Sequence, residues 1–214
     1  MYPKGNLMIA ASHGQLEAIL KEPAGERRGV ALVCHPHPLG GGTMHNKVVF
    51  RAAAGLVDAG LATLRFNFRG VGASTGVHNE IEGGMEDVRD ALEYLAAEYA
   101  GEDLTLAGFS FGSRTGLAVG KDDERVKRLI SIGTPVDKYD YDFLIGLRKP
   151  ILFIHGDQDE FGALERVKKV VDELSRSADT ELVVFKDCGH FFDEHLDELR
   201  VTVKNWAGRH LSTP

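Results

Sequence analysis

Short apolar runs alternate with longer amphipathic stretches along this chain, and that alternation restricts the fold more than any other feature. "GVALVCHP", "LATLRFNF", "DLTLAGFS", "VKRLISIG", "PILFIHG" and "TELVVFKD" are strand-length segments with few interruptions by charge. Runs of this kind mark strands buried on both faces. Between them the apolar residues recur at steps of three and four, the period of a helix with one buried face. Asn46 is placed to cap a helix through about Ala59 that ends at Gly60. Met85, Val88, Leu92, Leu95 and Tyr99 predict a helix over Gly84 to Tyr99. Further helices are predicted from Phe111 to about Gly120, from Ala163 to Ser177, and from Asp193 to about Gly208. "LMIAAS" and "QLEAILKE", separated by His13-Gly14, predict an antiparallel hairpin at the start.

The expectation is an α/β fold with an eight-stranded, mostly parallel sheet, the N-terminal hairpin antiparallel and helices on both faces. Crossovers between parallel strands are right-handed. A length of 214 residues suits a single domain over 1–214. Functional groups in such sheets collect at the carboxyl ends of the strands. That rule selects which residues can meet.

"LAGFSFG" ends one predicted strand and opens a helix. Gly108 and Gly112 allow backbones to approach closely, and Ser110 stands at the bend with the amides of a helix N-terminus behind it. A serine hydroxyl is a weak nucleophile and needs a base. His190, in the loop "DCGHFF" after the last strand, reaches the same rim. A carboxylate must hold the tautomer of that base. "ILFIHGDQDE" supplies Asp159 beyond its strand end, with Asp157 in reserve. An acyl-transfer site also needs donors for the oxyanion. The Phe111 amide is one candidate. In "HPHPLGGG" the prolines 36 and 38 have no N–H, leaving the amides of His37 and Leu39. The Gly40-Gly41-Gly42 run lets that loop bend toward a ligand.

Taken together, "VCHPHPLGGGTMHNKV", "LRFNFRGVGASTG", "LAGFSFG", "ILFIHGDQDE" and "DCGHFF" resemble a small, lidless α/β-hydrolase of the serine esterase and dienelactone-hydrolase-like group. The resemblance spans essentially the whole chain. It implies the α/β-hydrolase fold, the chain order Ser110, Asp159, His190, an acyl-enzyme at Ser110, and His37 as the second oxyanion donor with Leu39 in reserve. Dienelactone hydrolases proper use cysteine where this chain has serine, so their substrates are not implied. The link after the sixth strand, "TPVDKYDYDFLIGLRK", is too short for a cap domain. Tyr139, Tyr141, Phe143 and Leu144 are candidates either to wall a shallow pocket or to pack across the sheet edge. Phe109 and Phe111 are placed either beside the acyl group or beside the strand.

The activity implied is hydrolysis of carboxylic esters or thioesters of small to medium acyl groups, with no cofactor. The alternatives left open are a non-catalytic ligand-binding protein on the same scaffold, and a serine peptidase or acyltransferase using the same triad. A net charge of −7 argues against a nucleic-acid partner. No apolar run is long enough for a membrane span or a signal-peptide core, giving the expectation of a cytoplasmic protein, with a homodimer left open. "HPHP" carries a His-x-His pattern, but no cluster at ligand spacing accompanies it and no metal is expected. His190 and His195 are five apart, unsuited to sharing one helix face. Cys34 ends the third strand and Cys188 lies two residues before His190; the strand order that the resemblance implies sets strands three and eight four places apart, too far for a disulfide.

Overall fold

A computed structural model describes residues 4–211. The expected domain, 1–214, extends at each end past the described residues. Eight strands form one sheet: β1 (Leu7–Ala11), β2 (Gly14–Lys21), β3 (Val30–Cys34), β4 (Ala62–Phe66), β5 (Leu104–Phe109), β6 (Val126–Ile132), β7 (Ile151–Gly156) and β8 (Thr180–Phe185). Their order is β1-β2-β4-β3-β5-β6-β7-β8. β1 pairs with β2, and β2 with β4, in antiparallel register. All remaining neighbours are parallel.

The helices are α1 (Lys47–Asp58), α2 (Glu80–Glu98), α3 (Phe111–Gly120), α4 (Leu164–Leu174) and α5 (Leu196–His210). Successive residues of a strand point to opposite faces, and β3 shows the consequence. Val30, Leu32 and Cys34 join one core with Val88 and Leu92 of α2, Leu117 of α3 and Val167 of α4. Ala31 and Val33 join the other with Val48 and Leu56 of α1 and Val203 and Trp206 of α5. Every residue of β3 is buried, which is why its sequence shows no polar alternation. Asn46 caps α1 as expected, its Oδ1 accepting from the amides of Val48 at 2.9 Å and Val49 at 3.4 Å. Such a cap contributes about 1 kcal/mol.

Helix boundaries differ from expectation in three places. α2 begins at Glu80, a turn before the expected Gly84. Gly83 and Gly84 are both buried within α2. A Cβ on Gly84 would lie 2.9 Å from Thr115 Cγ2 and 3.0 Å from Phe111 Cζ. Gly84 lets α2 pack closely on α3, while Gly83 faces Arg69 and Asn79, and packing overrides propensity. α4 stops at Leu174 and α5 starts at Leu196, each shorter at that end than its apolar pattern suggests.

The connection from β6 to β7 holds only a 3₁₀ turn, Asp142–Leu144, so no cap covers the carboxyl edge of the sheet. Among the described residues no helix is long and apolar enough to cross a membrane.

Candidate active site

Ser110 joins β5 to α3 with φ 55° and ψ −118°, a backbone conformation costly for any residue with a Cβ. The surroundings enforce it. A Cβ at Gly108 would lie 2.2 Å from the carbonyl oxygen of Gly112, and one at Gly112 would lie 2.4 Å from the carbonyl oxygen of Cys34. No side chain fits at either position, so the strand must turn straight into the helix. The Ser110 amide donates to the carbonyl of Ile132 at 2.9 Å, tying the bend to the end of β6. Its carbonyl accepts from Ser113 Oγ at 2.8 Å. The hydroxyl of Ser110 is thereby held at the rim by backbone alone.

His190 comes from the loop after β8. Its Nδ1 lies 2.7 Å from Asp159 Oδ2, with both side chains buried. The carboxylate accepts the hydrogen bond of the Nδ1–H, which leaves Nε2 with a free lone pair. Asp159 is itself oriented, since its Oδ1 accepts from the amide of Phe161 at 2.8 Å. The imidazole is clamped by the rings of Phe109 at 4.9 Å, Phe161 at 4.6 Å and Phe191 at 5.3 Å. Glu160 Oε2 accepts from the His190 amide at 3.4 Å. Asp157 turns elsewhere and accepts from the Cys188 amide.

Gly133 relates this pair to Ser110. It follows Ile132, the partner of the Ser110 amide, and a Cβ on it would come within 3.1 Å of His190 Cε1. Serine and imidazole therefore flank the same strand end. No hydrogen bond joins Ser110 Oγ to His190 among the described residues. Such bonds are often long before a substrate binds.

The two residues whose amides are the expected oxyanion donors lie near each other. The close contact of Gly112 with Cys34 lays the start of α3 against the end of β3, and the His37 ring sits 4.9 Å from that of Phe111. Neither the Phe111 amide nor the His37 amide has an acceptor among the described residues. The Leu39 amide does, donating to His37 Nδ1 at 3.2 Å. The amides of Gly40 and Gly42 both donate to the His37 carbonyl, drawing the loop into a tight turn.

His35 belongs to the core. Its Nδ1 donates to the Pro36 carbonyl at 2.6 Å and its Nε2 accepts from the Phe68 amide at 3.0 Å. Burial pushes its pKa down to about 3. His155, at the end of β7, lies under the acid loop. Its Nε2 donates to the Gly162 carbonyl at 2.6 Å and is 3.8 Å from Asp159 Oδ2, while burial lowers its pKa. Both cysteines are free and buried, with β3 and β8 four places apart in the sheet. Burial pushes the Cys188 thiol up to about 11 and that of Cys34 higher still, so neither is reactive near neutral pH.

Of the two alternatives for the candidate pocket walls, packing describes most of them. Phe109, Tyr141 and Leu144 are packed into the cores, each at most 4% exposed. Tyr141 hydrogen-bonds Ser113, and Phe109 supports His190. Phe111 is likewise buried, while Tyr139 and Phe143 are partly buried against the same core. The apolar side chains open to solvent near the rim are instead Leu39, Val77 and Phe191. A correction concerns histidine clustering. No partners for His37 are evident in sequence, yet the fold brings His78 and Glu80 beside it.

Comparison with known proteins places this geometry. A family model described as an alpha/beta hydrolase domain matches residues 30–207. An uncharacterized protein of Rickettsia prowazekii is 32% identical over 200 residues, covering 90% of this chain and 84% of that one. An alpha-beta serine hydrolase homologue from Coxiella burnetii superposes with a TM-score of 0.88 at 39% identity, covering 96% of this chain and 99% of that one. A serine hydrolase without a lid from Xanthomonas campestris gives 0.89 at 33% identity, covering 100% and 99%. From the sheet order, the uncapped carboxyl edge and these matches, the chain belongs to the alpha/beta hydrolase family.

Proposed function

We propose that this protein is a serine hydrolase acting on carboxylic esters or thioesters of small to medium acyl groups, through an acyl-enzyme at Ser110. The observation that carries the reading is the strained backbone of Ser110, φ 55°, held by glycines that tolerate no side chain. Strain kept in place by its whole surroundings is characteristic of a working site. The buried Asp159–His190 pair beside it supplies what a serine nucleophile lacks.

In this reading His190 Nε2 takes the hydroxyl proton as Ser110 Oγ attacks the carbonyl carbon. Asp159 holds the tautomer and stabilises the imidazolium. Charge moves to the carbonyl oxygen, where the amides of Phe111 and His37 receive it; each such donor is worth about 3 kcal/mol in the transition state. The protonated His190 then gives its proton to the departing alcohol or thiol. Water, activated by His190, hydrolyses the acyl-enzyme by the reverse sequence. The exposed apolar side chains of Leu39, Val77 and Phe191 offer contact to an acyl chain without enclosing it. An open site of this form favours short and medium chains.

A panel of p-nitrophenyl esters and acyl thioesters of graded length tests this reading. Turnover of short and medium members, absent in Ser110→Ala, is expected. Failure to turn over any member, with the chain folded, contradicts it.

A further inference from the structure

We propose that His37, His78 and Glu80 form a binding site for a divalent transition-metal ion, zinc foremost, on the rim beside the Ser110 turn. One ligand atom from each residue lies within 4.8 Å of the others. His37 Nε2 is 3.5 Å, and His78 Nε2 3.8 Å, from the same carboxylate oxygen of Glu80. These separations are long for hydrogen bonds. They are close to the edge of a zinc tetrahedron, about 3.3 Å for bonds of about 2.0 Å. Glu80 is 68% exposed and can move, while the two imidazole nitrogens, within 4.8 Å of one another, would draw closer as an ion binds.

His78 points to a ligand independently. Its side chain is 7% exposed, and its Nε2 is buried with no hydrogen-bond partner while facing Glu80. Leaving a buried polar nitrogen unmatched is unfavourable, and an ion there satisfies it. The two imidazoles are already oriented, 4.9 Å apart and both edge-on to Phe111. Two imidazoles and one carboxylate suit zinc, with a fourth position left for water.

The second cluster of similar composition, His13, Asp87 and Asp90, differs decisively. There Asp87 already accepts from the Arg69 amide and guanidinium, each at 2.8 Å, and meets His13 at 2.9 Å. A cation would have to displace an arginine.

The rim site is also coupled to its loop. His37 Nδ1 accepts from the Leu39 amide, so the proton of the neutral ring sits on Nε2. An ion at Nε2 moves that proton to Nδ1 and breaks the Leu39 bond, loosening the turn that holds the His37 amide. This last consequence, zinc inhibition of hydrolysis, rests on the reading of that amide as an oxyanion donor; the binding does not.

Isothermal titration of the untagged chain with zinc chloride tests the site without recourse to activity. One ion per chain is expected, with cobalt(II) giving the visible bands of tetrahedral geometry. At zinc a hundredfold above Kd, Tm is expected to rise by roughly 5 to 10 °C. Glu80→Gln, at an exposed position, and His78→Gln should each weaken binding about tenfold or more, while His13→Gln leaves it unchanged. Absence of a saturable site, or a site retained at full affinity in both the 78 and 80 variants, overturns the proposal.

Discussion

Asp159 Oδ2 and His190 Nδ1 are 2.7 Å apart, and neither side chain reaches solvent to any extent. The pair joins the loop after β7 to the loop after β8, two segments 31 residues apart that share only the carboxyl edge of the sheet. Its orientation fixes which nitrogen of His190 is free. Asp159→Asn, whose amide can donate to Nδ1, stabilises the opposite tautomer. The expected result is a fall in kcat of about 10⁴ with the fold retained. Steady-state kinetics beside a circular dichroism spectrum check this; a fall of less than tenfold would contradict the role given to Asp159.

Strain at Ser110 has a measurable counterpart in stability. Ser110→Ala keeps a Cβ at φ 55° and removes only the hydroxyl, whereas Ser110→Gly also relieves the backbone. The glycine variant should be the more stable of the two by about 1 to 3 kcal/mol, reduced in part by the entropy glycine regains on unfolding. Thermal melts of the two variants make the comparison. Equal or reversed Tm values would show that the bend is not strained.

Acid should destabilise the protein through its buried histidines. His35 has its folded pKa depressed to about 3 by burial, with one nitrogen donating to Pro36 and the other accepting from Phe68. Protonation would set an N–H against the Phe68 N–H. A depressed folded pKa contributes stability that is complete above the ordinary histidine value and lost as pH falls through the window down to about 3. Within that window the unfolded chain binds the extra proton, and stability falls by up to about 1.4 kcal/mol per pH unit. His155, lowered by burial, acts in the same direction. His35→Gln should flatten the dependence of Tm on pH between 6 and 4, whatever it does to Tm itself. An unchanged slope would contradict this account of His35.

Much of this was legible in sequence for one reason: strand ends in a parallel sheet gather on one edge. Ser110, Asp159 and His190 each follow a strand, so strand-end position and residue type nominate them together. Gly84 shows where that reasoning stops. Its role is to admit Phe111 and Thr115, and contacts between helices leave no trace in local period. The same holds for Tyr141 and Leu144, whose link between strands reads equally well as pocket wall or as core until packing is seen. His78 and Glu80 lie in a loop and at a helix start with no pattern of their own, and their nearness to His37 arises only when β4 is laid beside β3.

The elbow itself can be probed by size. Gly112→Ala places a methyl 2.4 Å from the Cys34 carbonyl oxygen, backbone against backbone with nothing flexible to yield. A loss of about 1 to 3 kcal/mol or more is expected, together with loss of turnover as the Phe111 amide shifts. A denaturant melt checks the first effect. Wild-type stability in this variant would mean that the approach of α3 to β3 is looser than described.

The central claim is that Ser110 is a nucleophile activated by His190. Intact-mass analysis after exposure to a fluorophosphonate measures this most directly. One adduct per chain, mapped to Ser110, abolished in Ser110→Ala and strongly slowed in His190→Ala, is the predicted result. No adduct on the folded chain, or an adduct that persists in Ser110→Ala, would contradict it.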